Sequence, residues 1–223
     1  MGRVPKKVVV DFFFDVVSPY SYIAFELLQR CNVKWENMDL KLKPVFLGGI
    51  MAATGNQGPA MLPIRAQYMN KDLPRLAEYY NMPFQFNAHI QKLFFQKGTL
   101  PTQRVLGVVK KDYPDILESL SSDMFRRVWA DNEDITCDGI LKTACQKAGL
   151  TDTARDEVLS ASISDTGKQE LKNLTQQALD FGAFGVPTYV AHLDDGPKMI
   201  FGSDRLFLLA SYLGHEWTAT RND

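Results

Sequence analysis

The chain lacks the marks of several large protein classes. It has no surplus of charge: Lys and Arg together number 25, Asp and Glu 26, for a formal net charge of -1 over 223 residues. That argues against a protein that binds nucleic acid by neutralising phosphates, and against a polybasic protein of the membrane surface. Cysteine is scarce. Cys31, Cys137 and Cys145 are widely spaced and form no C-x-x-C, which excludes a zinc knuckle and a dithiol redox centre. His89, His192 and His215 share no metal-ligand spacing, so no metal is expected. Long hydrophobic runs are missing too. The most apolar stretch, Val8 to Val17, is too short to cross a bilayer and contains Asp11 and Asp15. Few cysteines and no recognisable secretory signal point to a reducing compartment. Lys6 stands where a myristoylation motif needs Ser or Thr, and Arg221-Asn222-Asp223 is not a peroxisomal tripeptide. What is present is ordinary globular usage, 45% hydrophobic and 23% charged, in a chain long enough for one large core or a core carrying an insertion.

The ends of the chain carry strand patterns and the middle carries helical ones. Val8 to Phe14 is an almost unbroken run of β-formers, the pattern of a central strand covered on both faces. Ser18-Pro19 starts a helix, with Ser at the N-cap and Pro at the first helical position, and Tyr20, Ile23, Ala24, Leu27, Leu28 and Cys31 form its apolar stripe. Leu40 to Val45 alternates as a second strand, which completes a βαβ unit. From about Gly48 to Ala183 no strand pattern occurs. Helical periodicity covers 73–80, 101–111, 116–129, 140–148 and 171–181, punctuated by Gly98, Pro101, Pro114, Asp138, Gly149 and Gly167. A strand at Pro187 to His192, a turn at Asp194-Asp195-Gly196-Pro197 and a strand at Lys198 to Phe201 make a hairpin. Gly202-Ser203-Asp204-Arg205 opens a last helix, expected to run through Trp217. The order βαβ, helices, ββα is that of an α/β fold in which a thioredoxin-like domain, residues 1–66 and 183–223, is interrupted by an inserted all-helical domain, residues 67–182.

Three short motifs carry the chemistry. In thioredoxin-like redox proteins the strand-to-helix turn holds two cysteines; here Ser18 and Ser21 stand in their places, and a serine hydroxyl is too weak an acid for disulfide exchange. A hydroxyl donor and free N–H groups at the positive end of a helix remain, a setting that favours an anion such as a thiolate brought in by a substrate. Lowering a thiol pKa from near 8.5 takes about 1.4 kcal/mol per unit, within reach of one charge-assisted hydrogen bond plus the helix dipole. Taken alone, Ser18-Pro19 is more simply a helix cap. Val186-Pro187 shifts the balance, because proline directly before a late strand is unusual. In this fold that proline is cis and beside the active turn, leaving the backbone of Val186 to pair with an extended peptide. Ser203-Asp204 offers N–H groups to a carboxylate and a carboxylate to an ammonium, the two ends of an amino acid; alone it would be ordinary capping.

These motifs lie within longer segments: Phe14-Asp15-Val16-Val17-Ser18-Pro19-Tyr20-Ser21; Gly48-Gly49-Ile50-Met51 with Gly55-Asn56; Leu62-Pro63; Arg127-Val128-Trp129 with Asn132-Glu133-Asp134-Ile135-Thr136; Gly182 to Pro187; and Phe201 to Arg205. Together they resemble the kappa-class glutathione transferases over nearly the whole chain. The resemblance implies a catalytic Ser18 hydrogen-bonded to the glutathione sulfur, with Pro19 and Tyr20 lining the site. It implies glutathione contacts at Asn56, Val186 and Pro187, and the γ-glutamyl group at Ser203 and Asp204. The family typically has a lysine for the glycyl carboxylate where Arg65 stands; the charge is kept, and Arg can bind a carboxylate with two bonds. The expectation is therefore a homodimeric enzyme of mitochondria or peroxisomes, with glutathione as co-substrate and no metal. It would join the thiolate to small electrophiles such as aryl halides, or reduce organic hydroperoxides. Two other readings stay open: a glutathione-dependent isomerase of the 2-hydroxychromene-2-carboxylate type, and a glutathione- or peptide-binding module without turnover.

Overall fold

The computed structural model describes residues 7–218 other than 96, 97 and 138; the turn expected at Asp138 and the two chain ends read above lie outside them. Strand β1 (Val8–Phe14) leads through a short turn into helix α1 (Pro19–Lys34) and then β2 (Met38–Pro44). Helices α2 (Leu47–Thr54), α3 (Pro63–Tyr79), α4 (Ile90–Phe95), α5 (Leu100–Asp112), α6 (Leu117–Trp129), α7 (Ile140–Lys147), α8 (Asp152–Ile163) and α9 (Asp165–Asp180) follow. The chain returns through β3 (Thr188–Leu193), β4 (Gly196–Phe201) and α10 (Leu206–Tyr212). The sheet order is β2-β1-β3-β4, with β1 parallel to β2 and antiparallel to β3, and β3 antiparallel to β4. This is the expected thioredoxin-like arrangement, with helices between its two halves.

The apolar run of β1 makes it central, because alternate side chains enter different cores. Val10, Phe12 and Phe14, with Tyr189 and Ala191 of β3, join a cluster that includes α1, α6 and α10. Phe13 and Val190 face the opposite way, against Ile50, Leu174 and Ala178. Phe125 of α6 sits among Tyr22, Phe25 and Phe14, with ring centroids 5.9, 5.2 and 5.5 Å away. Leu174 and Ala178 of α9 cover the second sheet face. The helices of residues 67–182 thus share their cores with the sheet.

Several elements differ from expectation for identifiable reasons. Helix α3 begins at Pro63, ten residues before the expected start at Leu73, and runs through an internal Pro74. Pro74 is on the solvent side, where the carbonyl it deprives of a partner can meet water. Helices α2, α4 and α8 had no legible stripe; α8 hides Arg155 and Ser162 at buried positions beside Val158. Gly167 lies inside α9 instead of punctuating it. A Cβ there would stand 2.2 Å from the Ala161 carbonyl oxygen, so glycine is what allows α9 to start against the end of α8. The hairpin turn is only Asp194-Asp195, since Gly196 and Pro197 already belong to edge strand β4. Helix α10 stops at Tyr212, short of Trp217, because Gly214 takes φ +75° and His215 N–H caps the Ala210 carbonyl.

Candidate active site

The β1–α1 turn places Ser18 at the N-cap of α1, with Pro19 at the first helical position. Ser21 N–H donates to the Ser18 hydroxyl oxygen at 3.1 Å, and that hydroxyl donates to the Val186 carbonyl at 3.4 Å. Residues 168 positions apart are thereby in contact, and the Val186–Pro187 bond is cis. Among the described residues the Val186 N–H meets no acceptor, so an extended chain laid alongside would find a donor there. The first turn of α1 carries no acidic side chain, so its positive end is not neutralised.

The third motif joins the same place through the backbone. Gly202 N–H donates to the Pro187 carbonyl at 3.0 Å. Gly202 takes φ +97°, and a Cβ there would stand 2.6 Å from Asp204 Oδ1, so only glycine lets the Asp204 carboxylate fold back over the turn. Ser203 is buried; Asp204 is exposed and paired with Arg205. Asn56 comes from across the site, its Nδ2 donating to the Phe184 carbonyl at 2.6 Å, and so braces the segment before Val186. The Tyr20 hydroxyl donates to Asp72 of α3 at 3.0 Å. Burial first, then that carboxylate, push its phenol pKa up and keep it protonated. Arg65 is the expected residue least drawn in: it is exposed in the first turn of α3 and bonded to none of the others. It lies seven residues before Asp72, hence on the same side of α3 and about 10 Å along it.

Residues given no role from sequence hold the turn; Asp15 and Trp129 stood within the family-like segments, and Gln103 outside them. Gln103 of α5 is fully buried and donates through Nε2 to the carbonyls of Phe14 (3.0 Å) and Val45 (2.7 Å). Trp129 Nε1 of α6 donates to the Val16 carbonyl at 2.9 Å. The Asp15 carboxylate accepts from Val17 N–H at 3.1 Å and from Leu47 N–H at 3.0 Å. A glutamine on an otherwise apolar helix face and an aspartate ending an apolar strand were the available signals. By contrast, the segment Asn132 to Thr136 knits a loop: Asn132 accepts from Ala88 N–H, and Asp134 pairs with Lys92 and Thr136. Burial pushes the thiols of Cys31 and Cys145 up, to about 12 and about 11, so neither supplies a thiolate.

Residues 9–214 match the DSBA-like thioredoxin domain family. Glutathione S-transferase kappa 1 of Rattus norvegicus is 40% identical over 97% of this chain and 95% of its own length. The chain belongs to the kappa-class glutathione transferases. It is therefore an enzyme of that class. A relative at greater distance, 2-hydroxychromene-2-carboxylate isomerase of Pseudomonas sp. (strain C18), is 27% identical over 93% of this transferase and 91% of that protein. The solved structure of a 2-hydroxychromene-2-carboxylate isomerase superposes with a TM-score of 0.76 at 25% identity, covering 92% of this chain and 94% of the other.

Proposed function

We propose that this transferase joins the glutathione thiolate to small electrophiles, with Ser18 as the donor that stabilises the sulfur anion. The observation that carries this reading is the Ser18 hydroxyl on the Val186 carbonyl at an unneutralised helix N-terminus. Glutathione lies extended along Val186-Pro187, its cysteinyl backbone pairing with Val186 N–H and carbonyl. As the cysteinyl N–H takes that carbonyl, the Ser18 hydroxyl turns to the sulfur. Ser203 holds the α-carboxylate of the γ-glutamyl end and Asp204 its ammonium, while the glycyl carboxylate is directed toward Arg65 and Asn56. Pro19 and Tyr20 wall the sulfur. The thiol proton leaves to water; the thiolate attacks the ring carbon of an aryl halide, a C–S bond forms, and halide departs with its electron pair. Ser18 is neither base nor nucleophile. By kinship the working form is a homodimer of mitochondria or peroxisomes.

The isomerase kinship supplies the second reading, in which the same thiolate adds and is then eliminated. Ser18→Ala decides the role of the hydroxyl. The pKa of the bound thiol, read from ultraviolet thiolate absorbance, is expected to rise by about one to two units. Conjugation of a chromogenic aryl halide should fall roughly 10- to 100-fold, with glutathione affinity within about threefold. A variant that titrates and turns over like wild type removes Ser18 from the mechanism. Faster turnover of 2-hydroxychromene-2-carboxylate than of the aryl halide selects the isomerase.

A further inference from the structure

We propose that Asp15 is a positioning residue for the thiolate site, its buried carboxylate setting the direction from which the Ser18 hydroxyl meets the sulfur. The proposal rests on the reading of Ser18 above and deepens it. Asp15 holds both ends of the turn. Its main-chain carbonyl accepts from Ser18 N–H at 3.0 Å, and its carboxylate accepts from Val17 N–H, from Leu47 N–H at the start of α2, and from the Thr99 hydroxyl before α5. Both carboxylate oxygens are acceptors, and among the described residues neither has an acceptor to donate to. An ionised carboxylate meets that demand. A carboxamide cannot, because its NH₂ would face one of the two backbone N–H groups.

The same group is costly to keep there. Asp15 is fully buried, and among the described residues no charged side chain faces it: its neighbours from the turn, from α2 and from the segment before α5 are Val17, Leu47 and Thr99. Burial pushes its carboxyl from the usual 3.8 up to about 6, against the opposing pull of the Leu47, Thr99 and Val17 bonds. Between about pH 4 and pH 6 the folded chain then binds a proton that the unfolded chain does not, so stability falls as pH rises through that window. A destabilising charge held three residues from Ser18 is the pattern of a site that sacrifices stability for function.

Two variants test this. Asp15→Asn should raise the pKa of the bound glutathione thiol by about one unit and lower kcat about tenfold with glutathione Kd within threefold, while flattening the stability change between pH 4 and pH 6. Thr99→Val keeps the carboxylate and removes one of its donors. It should shift the thiol pKa less, in the same direction, and move the stability window to higher pH. A wild-type enzyme that leaves the bound thiol pKa near 8.5 overturns the Ser18 reading and this one with it. A lowered thiol pKa in wild type that both variants retain in full overturns the role of Asp15 alone. Should Asp15→Asn fail to fold, an unchanged thiol pKa in Thr99→Val overturns it.

Discussion

The turn before Ser18 is held by buried side chains from α5 and α6 and by the first amide of α2, whereas Asp204 and Arg65, at the other end of the candidate site, face solvent. Behind Ser18 the bonds are buried and already made in the free protein, the setting in which electrostatic stabilisation is strongest. Asp204 and Arg65 are charges in water, and in the proposed binding mode they would hold a flexible ligand weakly and adaptably. The difference implies a division of labour. Changes behind Ser18 should alter turnover and stability together, and changes at the open end should alter glutathione affinity alone.

The sharpest way to break that division is Gln103→Leu. The substitution keeps bulk and removes the side-chain donor to two buried carbonyls; that of Phe14 keeps the Val45 N–H at 2.9 Å, while that of Val45 is left unpaired at a cost of roughly 1–3 kcal/mol. The urea midpoint should fall by the equivalent of about 1–3 kcal/mol, and kcat of the surviving enzyme by about tenfold, with the glutathione KM little changed. A Gln103→Leu enzyme with normal kcat and raised KM would mean that the turn is not set from behind.

That role for Gln103 also marks the limit of what the sequence discloses. Ser18 and Val186 were legible because each leaves a local trace: a Ser-Pro cap, and a proline where a strand should begin. Their contact, with the order of the flanking strands, follows from topology once the helical block is set aside. Arg65 was legible only as a departure from a family pattern. Gln103, Trp129 and Asp15 act through tertiary contacts with main-chain atoms, and an acceptor on a distant turn leaves no periodicity to read. The same physics hid α8, whose buried positions hold Arg155 and Ser162, and hid the end of α10 at Tyr212, before Gly214, whose positive φ is a property of the folded chain. The expected border at residue 182 separates Leu174 and Ala178 from a sheet face they help to cover, because a helical stripe reveals that a face is buried and not what covers it.

At the open end the expected effects are smaller. Ser203 is buried and Asp204 exposed, so in the proposed binding mode Ser203→Ala would remove a bond made in a drier place than Asp204→Asn would. A charge-assisted hydrogen bond contributes about 1.5–3 kcal/mol when sheltered, and less in water. Ser203→Ala should therefore raise the glutathione KM by roughly 10- to 150-fold and Asp204→Asn by roughly fivefold, each with kcat within about twofold in steady-state assays. A drop in kcat equal to the rise in KM for either variant would place the γ-glutamyl contacts in the transition state and erase the contrast between the two ends.

Arg65 gives the mildest and most diagnostic test. Its guanidinium is exposed and has no fixed partner among the described residues, so any contact with a glycyl carboxylate competes with water and salt. An exposed charge in the first turn of α3 is expected to attract the ligand more than clamp it. Arg65→Ala should raise the glutathione KM only about two- to fivefold at low ionic strength. That difference should shrink toward one by about 0.5 M salt, where the screening length falls to roughly 4 Å. Arg65→Lys should behave almost as wild type, since steering needs the charge and not the fork. A large KM effect in Arg65→Lys that survives high salt would instead require a two-bond clamp with fixed geometry, and the glycyl end would then belong with the preorganised half of the site.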